Sequence, residues 1–157
     1  MASIEEESSL PRDECKQQVR NMAKLFALLY YHFAKVSVEK LGDEEGKKLI
    51  AEAIRRFGAE RGREVRERVE AKGLELTPEN FKRFSDLPSL GWERDETEIT
   101  YCPYAEVWKE KEAEELGILY CEVDVHKYES FNPRIEVKRL KSVLKGQDCC
   151  QYDIGLR

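Results

Sequence analysis

Apolar positions in the first half of the chain recur at helical spacing. Val19, Met22, Ala23, Phe26, Tyr30 and Phe33 form one stripe of a helix that can begin near Pro11, where a missing N–H costs nothing in the first turn. A second helix is predicted from Asp43, with Glu44 and Glu45 at the positive end of its dipole. Its stripe is Leu49, Ile50, Ala53, Ile54 and Phe57, continued by Val65 and Val69. Gly58 and Gly62 interrupt it four residues apart, so both face the same side. Such a pair admits a neighbouring backbone or a ligand, at about 1 kcal/mol each relative to alanine. Gly73 is a natural stop, and Thr77-Pro78-Glu79-Asn80 reads as a cap, a first-turn proline and a short third helix. Pro88, Gly91 and Trp92 fall in a connecting loop.

Beyond residue 97 the composition shifts to Val, Ile, Tyr and Cys, which favour strands. Glu98 to Cys102 is a predicted strand ended by Pro103, and Tyr104 to Leu116 a helix closed by Gly117. Ile118 to His126 alternates like a strand. Asn132-Pro133 is a turn, and Ile135 to Lys145 pairs as a hairpin with Cys149 to Ile154 around Gly146-Gln147-Asp148. Helices first and strands later predict an α+β fold, with N-terminal helices packed on one face of a C-terminal antiparallel sheet. Residues 1–10 are expected to be a disordered tail and 11–157 a single domain.

Candidate chemistry concentrates on the alternating segment. As a strand it would put Leu119, Cys121, Val123 and Val125 on one face. Tyr120, Glu122, Asp124 and His126 would share the other, about 7 Å from one to the next. Two carboxylates and an imidazole in a row could deprotonate a water or hold a divalent metal. Trp108 on the preceding helix and Tyr120 would flank that row as pocket walls. Cys102, at a strand end just before a helix, is a candidate nucleophile whose pKa the helix dipole would lower. Cys149 and Cys150 point to opposite faces of their strand, with Cys149 assigned to the pocket and Cys150 to the core. His32, at the edge of the first stripe, is read as structural.

Composition narrows the classes. Among the 157 residues, 27 Lys and Arg against 32 Asp and Glu leave a net charge of -5, which disfavours binding to a nucleic-acid backbone. No apolar stretch approaches the roughly 20 residues of a membrane span. The opening Met-Ala-Ser-Ile-Glu-Glu-Glu is acidic and unlike a secretory leader. An odd number of cysteines, five, without a Cys-x-x-Cys, leads to the expectation of free thiols in a reducing, cytoplasmic setting. A sheet covered on one side only makes a homodimer a candidate state.

Four ordered segments carry a resemblance. They are Tyr101-Cys102-Pro103-Tyr104-Ala105-Glu106-Val107-Trp108, Tyr120-Cys121-Glu122-Val123-Asp124, Phe131-Asn132-Pro133, and Lys145-Gly146-Gln147-Asp148-Cys149-Cys150-Gln151-Tyr152. With Phe57-Gly58-Ala59-Glu60-Arg61-Gly62, and over residues 40 to 155, they resemble the L-2-amino-thiazoline-4-carboxylic acid hydrolase family. The C-terminal Gly…Cys pattern also looks like vinyl-reductase-type small-molecule-binding domains. The resemblance implies hydrolysis of a C–N bond in a small cyclic amidine, by water added at the carbon between sulfur and nitrogen. Asp124 or Glu122 would be the general base, or Cys102 the nucleophile, and Arg61 would meet the substrate carboxylate. Trp108, Tyr120, His126 and Cys149 would contact the substrate, and a divalent metal is a candidate cofactor. The competing expectation is a non-catalytic sensor that binds a small molecule or a metal in the same pocket.

Overall fold

Two long helices form the spine. α1 (Arg12–Leu41) and α2 (Asp43–Glu70) are separated by Gly42 alone, whose φ of 86° suits glycine and few other residues. The reversal is tight. Gly46 lies against the Val38 backbone, and farther along Phe26 stacks on Phe57 at 6.2 Å, so the pair runs antiparallel. The computed structural model describes residues 10–87 and 89–157. The expectations for a disordered tail over residues 1–9 and for Pro88 in its loop lie outside the described residues.

The predicted starts are found near Pro11 and at Asp43, and α2 gives way to a turn that leaves through Gly73 at φ 66°. Thr77 caps α3 (Pro78–Arg83) by accepting from the Asn80 N–H at 3.3 Å. A 3-10 turn at Ser89–Gly91 leads into β1 (Glu93–Arg94), a short strand absent from the sequence reading, and then β2 (Glu98–Tyr101).

The helix predicted from Tyr104 to Leu116 is two. α4 (Pro103–Glu110) stops at Lys111, Glu112 takes a φ of 51°, and α5 (Glu114–Cys121) follows. Gly117 therefore lies inside α5 and ends nothing. A Cβ there would sit 2.5 Å from Trp108 Cε3, so the glycine lets the indole seat.

The strand predicted from Ile118 to His126 does not exist. The chain runs through α5, bends at Glu122 and continues as α6 (Val123–Phe131). Its buried positions are Gly117, Tyr120, Val123, Lys127, Tyr128 and Phe131, a helical spacing. The alternation misleads because Tyr120 and Lys127 read as polar yet are buried, whereas Cys121 and Val125 read as apolar yet are only half-buried. Strand preference spans only about 1 kcal/mol, and packing of Tyr128 and Phe131 outweighs it.

β3 (Ile135–Lys141) ends before the predicted Lys145. Ser142 caps a 3-10 turn at Val143–Lys145, and β4 (Cys150–Leu156) returns. The four strands are antiparallel in the order β1-β2-β4-β3. Ile135, Val137, Tyr152 and Ile154 share the face that the helices cover, while the paired Lys138 and Asp153 are exposed on the other. The fold is α+β as expected. One cluster, around Ile54, Trp108, Tyr120 and Leu144, joins α1, α2, α4 and α5. A second, around Val65, Phe81, Phe131 and Ile135, joins α2, α3, α6 and β3.

The glycine pair of α2 meets a backbone. A Cβ on Gly58 would lie 2.8 Å from the Val123 carbonyl oxygen, and one on Gly62 only 2.2 Å from that of Lys127. Gly62→Ala is therefore expected to lower stability by about 2 kcal/mol through overpacking, although helix propensity alone would raise it by about 1 kcal/mol. The melting temperature followed by circular dichroism should fall by roughly 5 °C. An unchanged or higher value would refute the contact.

Candidate active site

A cavity of about 190 Å³ lies between α2, the start of α4, the α5–α6 bend and β4. Arg61 enters it from α2, Cys102 and Tyr104 from the start of α4, and Tyr120 and Cys121 from α5. Asp124 and Lys127 come from α6, Cys150 and Tyr152 from β4, and Trp92 and Arg94 from the segment that roofs it. A wider aromatic cleft adjoins it, sharing Arg61, Leu87, Tyr104 and Tyr120, with Phe26 and Phe57 at its rim.

The cations are held in different ways. Arg61 donates from Nε and Nη2 to Asp86 Oδ2 and Oδ1 at 2.6 and 2.9 Å, and both side chains are largely buried. This two-point clamp fixes the plane of the guanidinium while its remaining donors stay available. Burial works to raise the Asp86 pKa, but the hydrogen bonds and charge of Arg61 prevail and hold it below the usual carboxylate range. Lys127 is buried and donates to Asp124 Oδ1 at 3.3 Å. Arg94 also lines the cavity, and a larger cleft of about 520 Å³ that shares Arg94, Asp124 and Lys127 adds Glu96, Glu98 and Asp153. What the cavity offers an anionic group is therefore the set of Arg61 donors that Asp86 leaves open.

The thiols behave differently from the sequence expectation. Cys102 is the N-cap residue of α4, and the backbone N–H groups of Tyr104 and Ala105 do act to lower its pKa. Burial is the larger effect and pushes it up, so the thiol stays protonated near neutral pH. Burial also raises Cys121, and it raises the phenols of Tyr104, Tyr120 and Tyr152, leaving them neutral hydrogen-bond donors. All five cysteines are unbridged.

Of the residues picked from sequence, Arg61, Cys102, Tyr120 and Asp124 come together at the cavity. The others lie elsewhere. Glu122, at the bend, faces Arg139 with Oε1 2.9 Å from Nη2. His126 packs against Gly58 and pairs with Glu129 at 3.3 Å. Trp108 is fully buried behind Tyr104 and Tyr120 and donates from Nε1 to the Ala27 carbonyl at 3.0 Å. The predicted strand begins one residue late: Cys149 lies in a bend before β4, so strand alternation does not place it, and the inward face of β4 is that of Cys150, Tyr152 and Ile154. Cys150 therefore lines the cavity and Cys149 is buried away from it. Among the described residues no three His, Cys, Asp or Glu side chains gather to hold a metal ion. Nor is any helix there long and apolar enough to cross a membrane.

Sequence reasoning missed Asp86, Lys127, Tyr104 and Tyr152. Lys127 carried a signal, since it lies three residues after Asp124 and so on the same helix face, visible once the segment is read as helical. Asp86, in an irregular stretch, carried none.

The fold is α+β, with the cavity enclosed between its helices and its sheet. A model of the L-2-amino-thiazoline-4-carboxylic acid hydrolase family matches residues 22–154, and the chain belongs to that family. No curated protein and no solved structure matches it.

Asp86→Asn should leave Arg61 unclamped and cost about 3 kcal/mol near neutral pH, the low end for breaking a buried pair. Because the folded pKa of Asp86 is depressed, its contribution is complete above the unfolded value of about 3.9 and is lost as pH falls through the folded one. The difference in melting temperature between wild type and variant, measured across pH 7 to 2, should shrink below about pH 4. A constant difference would rule out the ion pair as its source.

Proposed function

We propose that the chain is a hydrolase that opens a small five-membered cyclic amidine bearing a carboxylate, of the 2-amino-thiazoline-4-carboxylate type, by breaking a non-peptide C–N bond. The observation that carries this reading is that a clamped guanidinium, Arg61, and a carboxylate, Asp124, line one small cavity. Family membership supports it.

Arg61 meets the substrate carboxylate with the donors that Asp86 leaves available. Tyr104 and Tyr120 wall the ring. Asp124 takes a proton from water as the oxygen attacks the carbon between sulfur and nitrogen. The Lys127 ammonium gives the ring nitrogen a proton as the C=N bond opens and recovers the one Asp124 took from water. The tetrahedral adduct then loses its hydroxyl proton to Asp124 as the carbonyl forms, and its ring C–N bond breaks as Lys127 gives the departing nitrogen a second proton, so both protons of the water end on the amine. The product is a carbamoyl-cysteine with a free amine. The attack is assigned to water, with burial favouring the thiol form of Cys102 over the thiolate. Glu122, His126, Trp108 and Cys149 have no contact with substrate in this scheme, and no step uses a metal.

With 2-amino-thiazoline-4-carboxylate as substrate, Asp124→Asn should lower kcat by at least ~100-fold. Arg61→Met should raise KM by roughly 30-fold, as the loss of a charge-assisted fork requires. Cys102→Ser should stay within about threefold of wild type. Loss of turnover in Cys102→Ser with Asp124→Asn unaffected would reverse the roles of thiol and water. A free thiol in the product, in place of a free amine, would overturn the C–N assignment.

The second reading, a binding module without turnover, draws on Asp124, the proposed base, being already engaged by Lys127 at 3.3 Å. Calorimetric binding of the same compound with no product formed would establish it.

A further inference from the structure

The helical hairpin buries its small residues and exposes its large ones. α1 turns Ala23, Ala27 and Ala34 inward. Met22, Leu25, Leu29, Phe33 and Val36 stay 50–69% exposed, with Phe26 at 38%. At 3.6 residues per turn all six project within about 60° of the Leu29 direction. On α2, Leu49 and Phe57 extend the same kind of surface. Together these side chains present on the order of 800 Å² of apolar surface, the per-partner area of a standard interface. Isolated patches on monomers seldom exceed a few hundred Å².

The pattern on α1 states what covers it. Counted from Leu29, large apolar side chains stand at minus 7 (Met22), minus 4 (Leu25), plus 4 (Phe33) and plus 7 (Val36). The spacing is symmetric about Leu29. A two-fold axis through that residue sets Leu29 against itself, Leu25 against Phe33 and Met22 against Val36, so no position on the seam is left unmatched. Phe26 at minus 3 meets His32 at plus 3, and the polar Gln18 and Lys40 pair at the ends. A lipid surface fits less well, since anionic headgroups attract basic amphipathic helices and this chain is acidic.

We infer that two copies of the chain associate through α1, antiparallel and centred on Leu29, with α2 of each copy completing a four-helix bundle. The sequence expectation of a homodimer rested on an uncovered sheet face; the structure moves the interface to the helices. Phe26 and Phe57, which rim the outer cleft, border this surface, so the second copy walls the mouth of the cavity. The inference stands whether or not the chain is a hydrolase.

Sedimentation equilibrium of the purified protein should give twice the 18.4 kDa chain mass at micromolar concentration. Leu29→Glu should weaken association by at least ~100-fold with an unchanged far-UV circular dichroism spectrum, since the residue is exposed in the single chain. In a Cys15→Ser background, Leu29→Cys should form a disulfide-linked dimer on mild oxidation. Val36→Cys should do so only when combined with Met22→Cys. A monomeric wild type at 100-fold higher concentration, a Leu29→Glu variant that stays dimeric, or a Val36→Cys variant that links to itself as readily as Leu29→Cys would each overturn the inference.

Discussion

The close passage of α6 across α2 is the constraint on which the candidate site depends. Two glycines one turn apart remove the side chains that would otherwise hold the helices apart, and carbonyl oxygens of Val123 and Lys127 occupy the space. Arg61 lies on the same turn of α2 as those glycines, and Asp124 and Lys127 belong to the stretch of α6 pressed against them. A backbone contact thus delivers a guanidinium, a carboxylate and an ammonium to one cavity. Interiors packed at crystal-like density cannot absorb a displacement of even a methyl group without moving such groups.

Charge in this molecule is sorted by burial. The acidic residues that give the chain its negative balance are mostly at the surface, many in short-range pairs along α2 such as Glu52 with Arg55 and Arg56. Screened by water, those pairs contribute little. Inside, the ion pair of Arg61 with Asp86 is largely buried, and Asp86 is the counter-charge that makes a buried Arg61 tolerable. The same desolvation holds the neighbouring thiols protonated. One physical effect therefore disfavours a resting thiolate and strengthens the pull of Arg61 and Asp86 on each other.

The helical hairpin departs from the usual arrangement of an amphipathic helix, in which the largest apolar residues face the core. Here alanines let α1 sit close to its neighbours, while Leu25, Leu29 and Phe33 remain outside. The stripe read from sequence ran through Val19, Met22, Ala23, Phe26, Tyr30 and Phe33, and so straddled a buried face and an exposed one. Hydropathy alone cannot separate the two, because apolar side chains on either gain by leaving water.

The sequence by itself determined the elements whose signals are local: a helix start at Pro11, the acidic first turn at Asp43, the Thr77 cap, the hairpin around Gly146, and hence the α+β class. It also picked out Arg61, Cys102, Tyr120 and Asp124, through segments distinctive enough to carry the family. Tertiary structure alone decided the state of residues 118–126, whose alternation gave way to a helix once Tyr120, Val123, Lys127, Tyr128 and Phe131 found partners. It started β4 at Cys150 with that side chain turned inward and left Cys149 buried ahead of the strand. It brought Asp86 to Arg61 from 25 residues away. The reason is common to all three. Caps and turns are settled by atoms a few residues apart, whereas burial, parity and ion pairing depend on which distant segment arrives, and no local pattern encodes that.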